Sequence, residues 1–501
     1  MKRFLLSPAF LLSASAMFFS VAHAAETSPN IIVILADDLG YGDVQRLNPE
    51  RGKIATPHMD QLAAEGMVFT DAHTCSSVCT PTRYGLMTGR YNWRSKLQKG
   101  VLYGFGTPLI PQDRLTVPAL LKKQGYNTAM IGKWHLGLDL PTTGGEAINE
   151  KGLTNVDWNG TIGGGPADLG FDYFFGISAS LDMPPYVYIE NRKFLGEGTV
   201  LKSFPRKGVA EKDFEAVDVL DKLTEKTLGF IAEQKEGTPF FAYMPLPSPH
   251  TPIVPTEEWK GKSEVGRYGD FVMQTDAVIG KVVDAIDAAG FGDNTLIIVT
   301  SDNGCSKAAG IGALEKKGHY PSAQFRGSKA DLWDGGHRVP FIVRWPAQID
   351  PGSESEALIC LTDLMASAAE VADTEIPAGA GEDSVSFVPA FTGGQIVSSR
   401  EGIIHHSIDG NFAYRQGKWK LLLAKGSGGW TSPTEKQMPK SSPKAQLYDM
   451  EADPGETQNL YESHPEVAAR LLAQLESDVA AGRSTDGAPA SNDVDDIKLW
   501  K

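Results

Sequence analysis

Cysteine is scarce in this chain. Four cysteines among 501 residues exclude a fold built on a disulfide framework. They also lack paired spacing: Cys75 and Cys79 stand four apart, while Cys305 and Cys360 stand alone. No group of Cys or His has the spacing of zinc ligands along the chain, so no zinc site is expected. Positive charge is in deficit as well. Lys and Arg number 47 against 62 Asp and Glu, for a net charge of −15. A chain this acidic is a poor binder of nucleic acid or anionic membrane, and an anionic substrate would need a locally positive site. Past the first two dozen residues no apolar run approaches the ~18 residues of a membrane span. Disorder is excluded too, because hydrophobic residues make up 41% and charged residues 22%.

What is present begins with an export signal. Residues 1–24 read as a secretory signal peptide. Lys2 and Arg3 precede a mostly apolar stretch, and Ala22-His23-Ala24 fits a small-x-small cleavage site. The protein is therefore expected to be exported, periplasmic or secreted, with its cysteines in an oxidising compartment.

The remainder alternates strand and helix. Apolar runs at 31–35, 127–131, 240–244, 296–299 and 341–345 read as strands buried on both faces. Between them, Val217, Leu220, Leu223, Phe230 and Ile231 share a helical face, as do Val272, Ile279, Val283 and Ile286, with Gly290 as a stop. This pattern predicts an α/β fold, a large mainly parallel sheet sandwiched by helices, over 25–397. From 398 to 501 a smaller α+β subdomain is expected. Its short antiparallel strands fall at 402–406, 412–415 and 419–423, turning at Gly410 and Gly417, with an amphipathic helix at 466–479. Residues 424–445 read as a surface loop and 141–169 as a Gly-rich loop insertion.

Ligands of parallel α/β sheets bind beyond the carboxyl ends of the strands. Here those ends carry Asp37-Asp38 and Asp302-Asn303. Three carboxylates and an amide form an all-oxygen set suited to Ca²⁺ or Mg²⁺, although each pair alone is also an ordinary turn. The segment Cys79-Thr80-Pro81-Thr82-Arg83 adds to this. Pro81 suits the first turn of a helix, so Cys79 falls near a helix N-terminus, where free N–H groups bind anions. A thiol there is expected to ionise easily.

Cys-x-Pro-x-Arg followed by four residues and Thr88-Gly89 resembles the sulfatase signature. The chain is similar to type I, formylglycine-dependent sulfatases of the alkaline phosphatase superfamily along nearly its whole mature length. Asp37-Asp38, Gly132-Lys133-Trp134-His135-Leu136-Gly137, Pro249-His250-Thr251-Pro252, Ser301-Asp302-Asn303-Gly304 and Arg326-Gly327-Ser328-Lys329 follow in the family's order. So does a tail from Leu447-Tyr448-Asp449 through Asp453-Pro454 to Asn459-Leu460. One departure is Asp334, where many relatives carry Glu.

The resemblance implies a set of roles. Cys79 would be converted to formylglycine by a formylglycine-generating or radical sulfatase-maturating enzyme, and its hydrate would be the nucleophile. Asp37, Asp38, Asp302 and Asn303, with residue 79, would bind one divalent cation, most often Ca²⁺. Arg83 and Lys133 would hold the nucleophile, and His135 would take a proton from it. His250 and Lys329 would meet the sulfate ester, His250 protonating the leaving alcohol. The implied activity is sulfate ester hydrolysis on a sulfated carbohydrate, such as a glycosaminoglycan or algal polysaccharide fragment. The alternatives are a phosphodiesterase or phosphonate hydrolase of the same superfamily, and a non-catalytic glycan-binding protein.

Other residues are more ambiguous. His319 and Arg326 precede Lys329 and are candidate substrate contacts. His337-Arg338 reads as structural. His405 and His406 fit either the pocket rim or a paired strand. Arg94, Lys96 and Lys99 form either a positive patch or a solvated loop. The stretch 182–188 fits either an aromatic wall or a packing loop.

Overall fold

The computed structural model describes residues 28–144 and 155–501. The signal-peptide reading and part of the expected insertion, 145–154, lie outside the described residues. Ten strands form one sheet, in the order Ser353–Ser355, Met67–Phe69, Phe341–Arg344, Thr295–Ser301, Asn30–Asp37, Phe240–Pro249, Asn127–Lys133, Tyr173–Ile177, Tyr188–Glu190 and Lys193–Leu195. The strand Asn30–Asp37 lies at the centre and pairs in parallel with both neighbours. Its position explains its composition. Ile31, Val33 and Leu35 enter the core on one face, while Ile32, Ile34 and Ala36 enter the core on the other. A strand covered on both faces carries an unbroken apolar run instead of an alternating one.

Helices cover both faces. Val272, Ile279, Val282 and Ile286 of the helix Arg267–Ala288 pack on one. Tyr84, Leu86 and Met87 of the helix Cys79–Thr88 pack on the other. Gly290 follows the longer helix at φ 81°, a conformation glycine adopts without strain.

Four of the five expected strands join the parallel block. The fifth parallel member is Tyr173–Ile177, which carries little sequence signal because Gly176 interrupts it. A Cβ there would stand 1.8 Å from the Gly132 carbonyl oxygen, so the neighbouring strands approach through glycine. The expected strand at 341–345 is present as Phe341–Arg344 but runs antiparallel to Thr295–Ser301. The stretch 182–187 is a packing loop that runs into the strand Tyr188–Glu190: Tyr186 and Tyr188 are buried in one cluster with Phe175 and Phe214, and Asp182 pairs with Arg206.

The C-terminal part is a four-stranded antiparallel sheet of Ile403–His406, Phe412–Gln416, Trp419–Leu422 and Gln446–Asp449. The helix Pro465–Ala480 lies on it through Leu471 and Leu475. His405 and His406 are buried in its first strand. Residues 424–445 contain no strand, but their start is not surface: Ser427 is buried, and Asp331 accepts the Trp430 and Thr431 N–H groups.

Buried charge joins the two parts. Lys420 donates to Asp334 at 2.7 Å and to Glu456 at 2.8 Å, with all three side chains fully buried. Asp334, the departure from the family pattern, thus has a structural partner. Arg94 is also taken inward, donating to Asp383 and to the Asp478 carbonyl. Burial removes it from any surface patch, while Lys96 and Lys99 remain exposed.

Removing one partner of a buried ion group leaves uncompensated charge. Lys420→Met should therefore lower stability in urea by about 3–5 kcal/mol. A loss below about 1 kcal/mol would mean that Lys420 contributes no more than a surface pair.

Candidate active site

The carboxyl ends of four adjacent parallel strands converge on one buried pocket. Asp37 ends the strand Asn30–Asp37, with Asp38 directly after it. Asp302 and Asn303 follow Thr295–Ser301, Lys133 ends Asn127–Lys133, and His250 follows Phe240–Pro249. Cys79 opens the helix Cys79–Thr88, and Lys329 enters from a loop. All these side chains are buried. Asp38 and His135 hold left-handed backbone angles, φ 66° and 58°. Such angles are uncommon outside glycine and are kept where surroundings impose them.

Charge is balanced within the pocket. Lys133 Nζ donates to Asp37 Oδ2 at 2.6 Å. Arg83 Nη2 and Nε donate to Asp302 Oδ2 at 2.7 and 3.1 Å, and Nη1 donates to the Lys133 carbonyl at 3.0 Å. Lys329 Nζ donates to Asp38 Oδ1. Burial opposes the charge of Asp37, but Lys133, His250, Arg83 and Lys329 outweigh it and hold the carboxyl well below the usual range. Asp302 moves the other way: burial and the adjacent Asp37 push it up to about 6 against Arg83.

The oxygen atoms fit a hard cation. Asn303 donates its amide to Asp38 Oδ1 at 2.7 Å and to the Gly304 carbonyl, which leaves Asn303 Oδ1 as the free acceptor. Asn303 Oδ1 and Asp37 Oδ1 are both buried with no hydrogen-bond donor. Orphaned buried acceptors are costly, and an oxygen-seeking divalent ion would satisfy them. Asp37, Cys79 and Asp302 bring ligand atoms within 4.8 Å of one another, as do Asp37, Asp38 and His250.

Cys79 departs from expectation. Burial raises its thiol above the ordinary value despite the nearby Lys133 and Lys329. The lysines do not offset desolvation there, because Asp302 and Asp37 also oppose the thiolate. Cys79, Cys75, Cys305 and Cys360 are all free thiols.

The two site histidines have distinct proton placements. His135 Nε2 lies 2.7 Å from the Leu102 carbonyl and must donate to it. Its Nδ1 is then a bare lone pair, buried without a partner. Burial, Lys133 and Arg83 drive its protonation well below the ordinary range, so the ring is neutral. His250 Nδ1 donates to the Thr251 carbonyl at 2.7 Å, which leaves Nε2 3.7 Å from Asp38 Oδ2.

His319 and Arg326 are engaged elsewhere. His319 is fully buried, bonded to Asp43 at 2.7 Å and to the Lys53 N–H at 3.0 Å. Arg326 donates to the Glu456 carbonyl and lies over the Trp333 ring. Sequence reasoning missed the Leu102 and Lys133 carbonyls, which fix His135 and Arg83. Main-chain atoms leave no mark on residue type.

A cysteine opening a helix, a set of buried carboxylate and amide oxygens and three buried cationic side chains at the ends of parallel strands make a site suited to an anionic ester. The family model described as Sulfatase matches residues 29–374, and the chain belongs to that family: it is a sulfuric ester hydrolase. It is 34% identical to an N-acetylgalactosamine-6-O-sulfatase of Bacteroides thetaiotaomicron, over 90% of this chain and 93% of that one. It is 31% identical to arylsulfatase A of Bos taurus, over 90% and 86%. A solved structure from work on the metabolism of multiple glycosaminoglycans by Bacteroides thetaiotaomicron superposes with TM-score 0.78 at 34% identity. That match covers 90% of this chain and 99% of the other.

Unconverted Cys79 should be a slow thiol. In protein made without a maturation enzyme, iodoacetamide at pH 7.5 should label Cys79 no faster than buried Cys75 or Cys305, read by peptide mass. Rapid, selective labelling of Cys79 would show that the lysines and helix outweigh burial.

Proposed function

We propose that this sulfatase releases inorganic sulfate from a sulfated carbohydrate, a glycosaminoglycan or algal polysaccharide fragment, as an exported enzyme, periplasmic or secreted. The observation that carries the reaction is the set of orphaned oxygens of Asp37 and Asn303 beside Cys79, ringed by Arg83, Lys133 and Lys329. The similarity to an N-acetylgalactosamine-6-O-sulfatase along nearly both full lengths supports the carbohydrate class.

In this reading Asp37, Asp38, Asp302 and Asn303 hold Ca²⁺, and a maturation enzyme converts Cys79 to formylglycine. Together these groups supply charge neutralisation and a hydrated-aldehyde nucleophile. Arg83 and Lys133 keep residue 79 in place and offset the ester's negative charge. Lys329 meets the sulfate oxygens. The bare Nδ1 of neutral His135 accepts a proton, because Leu102 already occupies its Nε2. With Nδ1–H held by the Thr251 carbonyl, His250 has an Nε2 proton only as the imidazolium, and in that form it would give this proton to the departing alcohol, a step that matters most for poor leaving groups.

Three outcomes test this. Protein produced with a maturation enzyme should release sulfate from one class in a panel of defined sulfated saccharides, and Cys79→Ala should release none. Release from no saccharide by protein whose Cys79 is shown converted would sink the carbohydrate assignment. Chelation should abolish activity, with Ca²⁺ restoring it better than Zn²⁺; full activity in metal-free protein removes the cation from the mechanism. His250→Ala should slow alkyl sulfates by about 10²–10⁴ and aryl sulfates with good leaving groups far less. Equal losses would remove His250 as the acid.

A further inference from the structure

Between the catalytic sheet and the C-terminal sheet lies a second cluster of metal-ligating side chains, apart from the catalytic pocket. His73 ends the short strand Ala72–His73, His337 follows the turn Asp334–Gly336, and His405 lies in the strand Ile403–His406. All three are buried, and each brings a ring nitrogen within 4.8 Å of the others. No local ligand spacing marks them, because 264 residues separate His73 from His337 in the chain.

Their hydrogen bonds fix the protons. His337 Nε2 faces the Leu332 carbonyl at 3.0 Å, and His405 Nδ1 faces the Thr74 carbonyl at 3.0 Å. A carbonyl only accepts, so both nitrogens carry hydrogen. His73 Nε2 lies 2.7 Å from Asp71. Asp71 stays ionised: burial opposes its charge, but the His73 hydrogen bond and Arg338 outweigh burial. His73 therefore donates from Nε2 as well.

Three lone pairs remain. His73 Nδ1 and His337 Nδ1 face each other at 3.0 Å with no hydrogen left for either in neutral rings. His405 Nε2 is buried without a partner. A shared proton could fill the gap, but burial drives protonation of His73 below the ordinary range. For His337, His405 and Lys420 add to the burial.

We propose that His73, His337 and His405 bind a divalent transition-metal ion of the zinc class, tying the C-terminal sheet to the segment that leads into Cys79. Imidazole nitrogens suit such ions, unlike the oxygen set of the catalytic pocket. Each ring's outer nitrogen already donates to a carboxylate or carbonyl, the arrangement that orients metal-bound histidines. Nitrogens about 2.0–2.1 Å from a tetrahedral ion lie about 3.3 Å apart, close to the 3.0 Å gap between His73 and His337. Rings radiating from one such ion have centroids about 5 Å apart, and His73 lies 5.1 Å from both other rings. The His337 and His405 rings stack with centroids 3.7 Å apart, so binding requires these two rings to turn apart, with the His405 Nδ1 bond to the Thr74 carbonyl re-aimed in the process.

The full chain, purified without a histidine tag, is stripped with a chelator and incubated with Zn²⁺ in excess Ca²⁺. It is then gel-filtered and its metal counted by mass spectrometry. Crystals of the same material are measured across the zinc edge. The expected result is about one zinc per chain, with its anomalous peak between the three histidines. Zinc should raise the thermal midpoint of the wild-type chain, while His405→Ala and His337→Gln should lose both the zinc and the shift. If a variant fails to fold, the wild-type anomalous map decides alone. Failure of the wild-type chain to retain zinc, or a peak only among Asp37, Asp38 and Asp302, overturns the proposal.

Discussion

Three carboxylates buried in one pocket repel one another, and the rest of the site answers to that repulsion. Out of water, each of the three is paired to one cation: Asp37 to Lys133, Asp38 to Lys329 and Asp302 to Arg83. The parallel sheet makes this meeting possible, because adjacent strands running the same way deliver their carboxyl ends to one edge. The same balance sets the thiol of Cys79, where nearby carboxylates and burial outweigh nearby lysines. A pocket organised in this way is suited to a bound cation and to an anionic ester, and poorly suited to a free thiolate.

The C-terminal sheet contributes to the site as well as to the fold. The residues leading into Cys79 are clamped from both sides: the Thr74 N–H donates to the His337 carbonyl, and the Ser77 N–H donates to the His406 carbonyl. The Ala330 N–H donates to the Ser77 carbonyl, immediately beyond Lys329. Lys420 then locks the same seam through Asp334 and Glu456. The segment leading into Cys79 is therefore held in part by His406, 330 residues from Ser76 in the chain, which ties the small sheet to the pocket's edge.

Much of this was legible from residue order. The runs at 31–35, 127–131, 240–244 and 296–299 announced central strands because burial on both faces favours successive apolar side chains over alternating ones. The oxygen donors after two of those runs, and the Cys79 segment, named the chemistry. Tyr173–Ile177 was not legible, since Gly176 breaks its pattern for the sake of a close backbone approach. The antiparallel course of Phe341–Arg344 was not legible either, because a short, mostly apolar run carries no direction.

The sequence by itself determined the family, the order of the central strands' motifs and the residue types at the strand ends, since these depend on residue type and local spacing. Only the tertiary structure decided the ionisation of Cys79, the inward turn of Arg94, the engagement of His319 with Asp43, and the gathering of His73, His337 and His405. Each of those depends on burial and on charges brought close by folding. Both are sums over neighbours distant in the chain, and no local pattern encodes them.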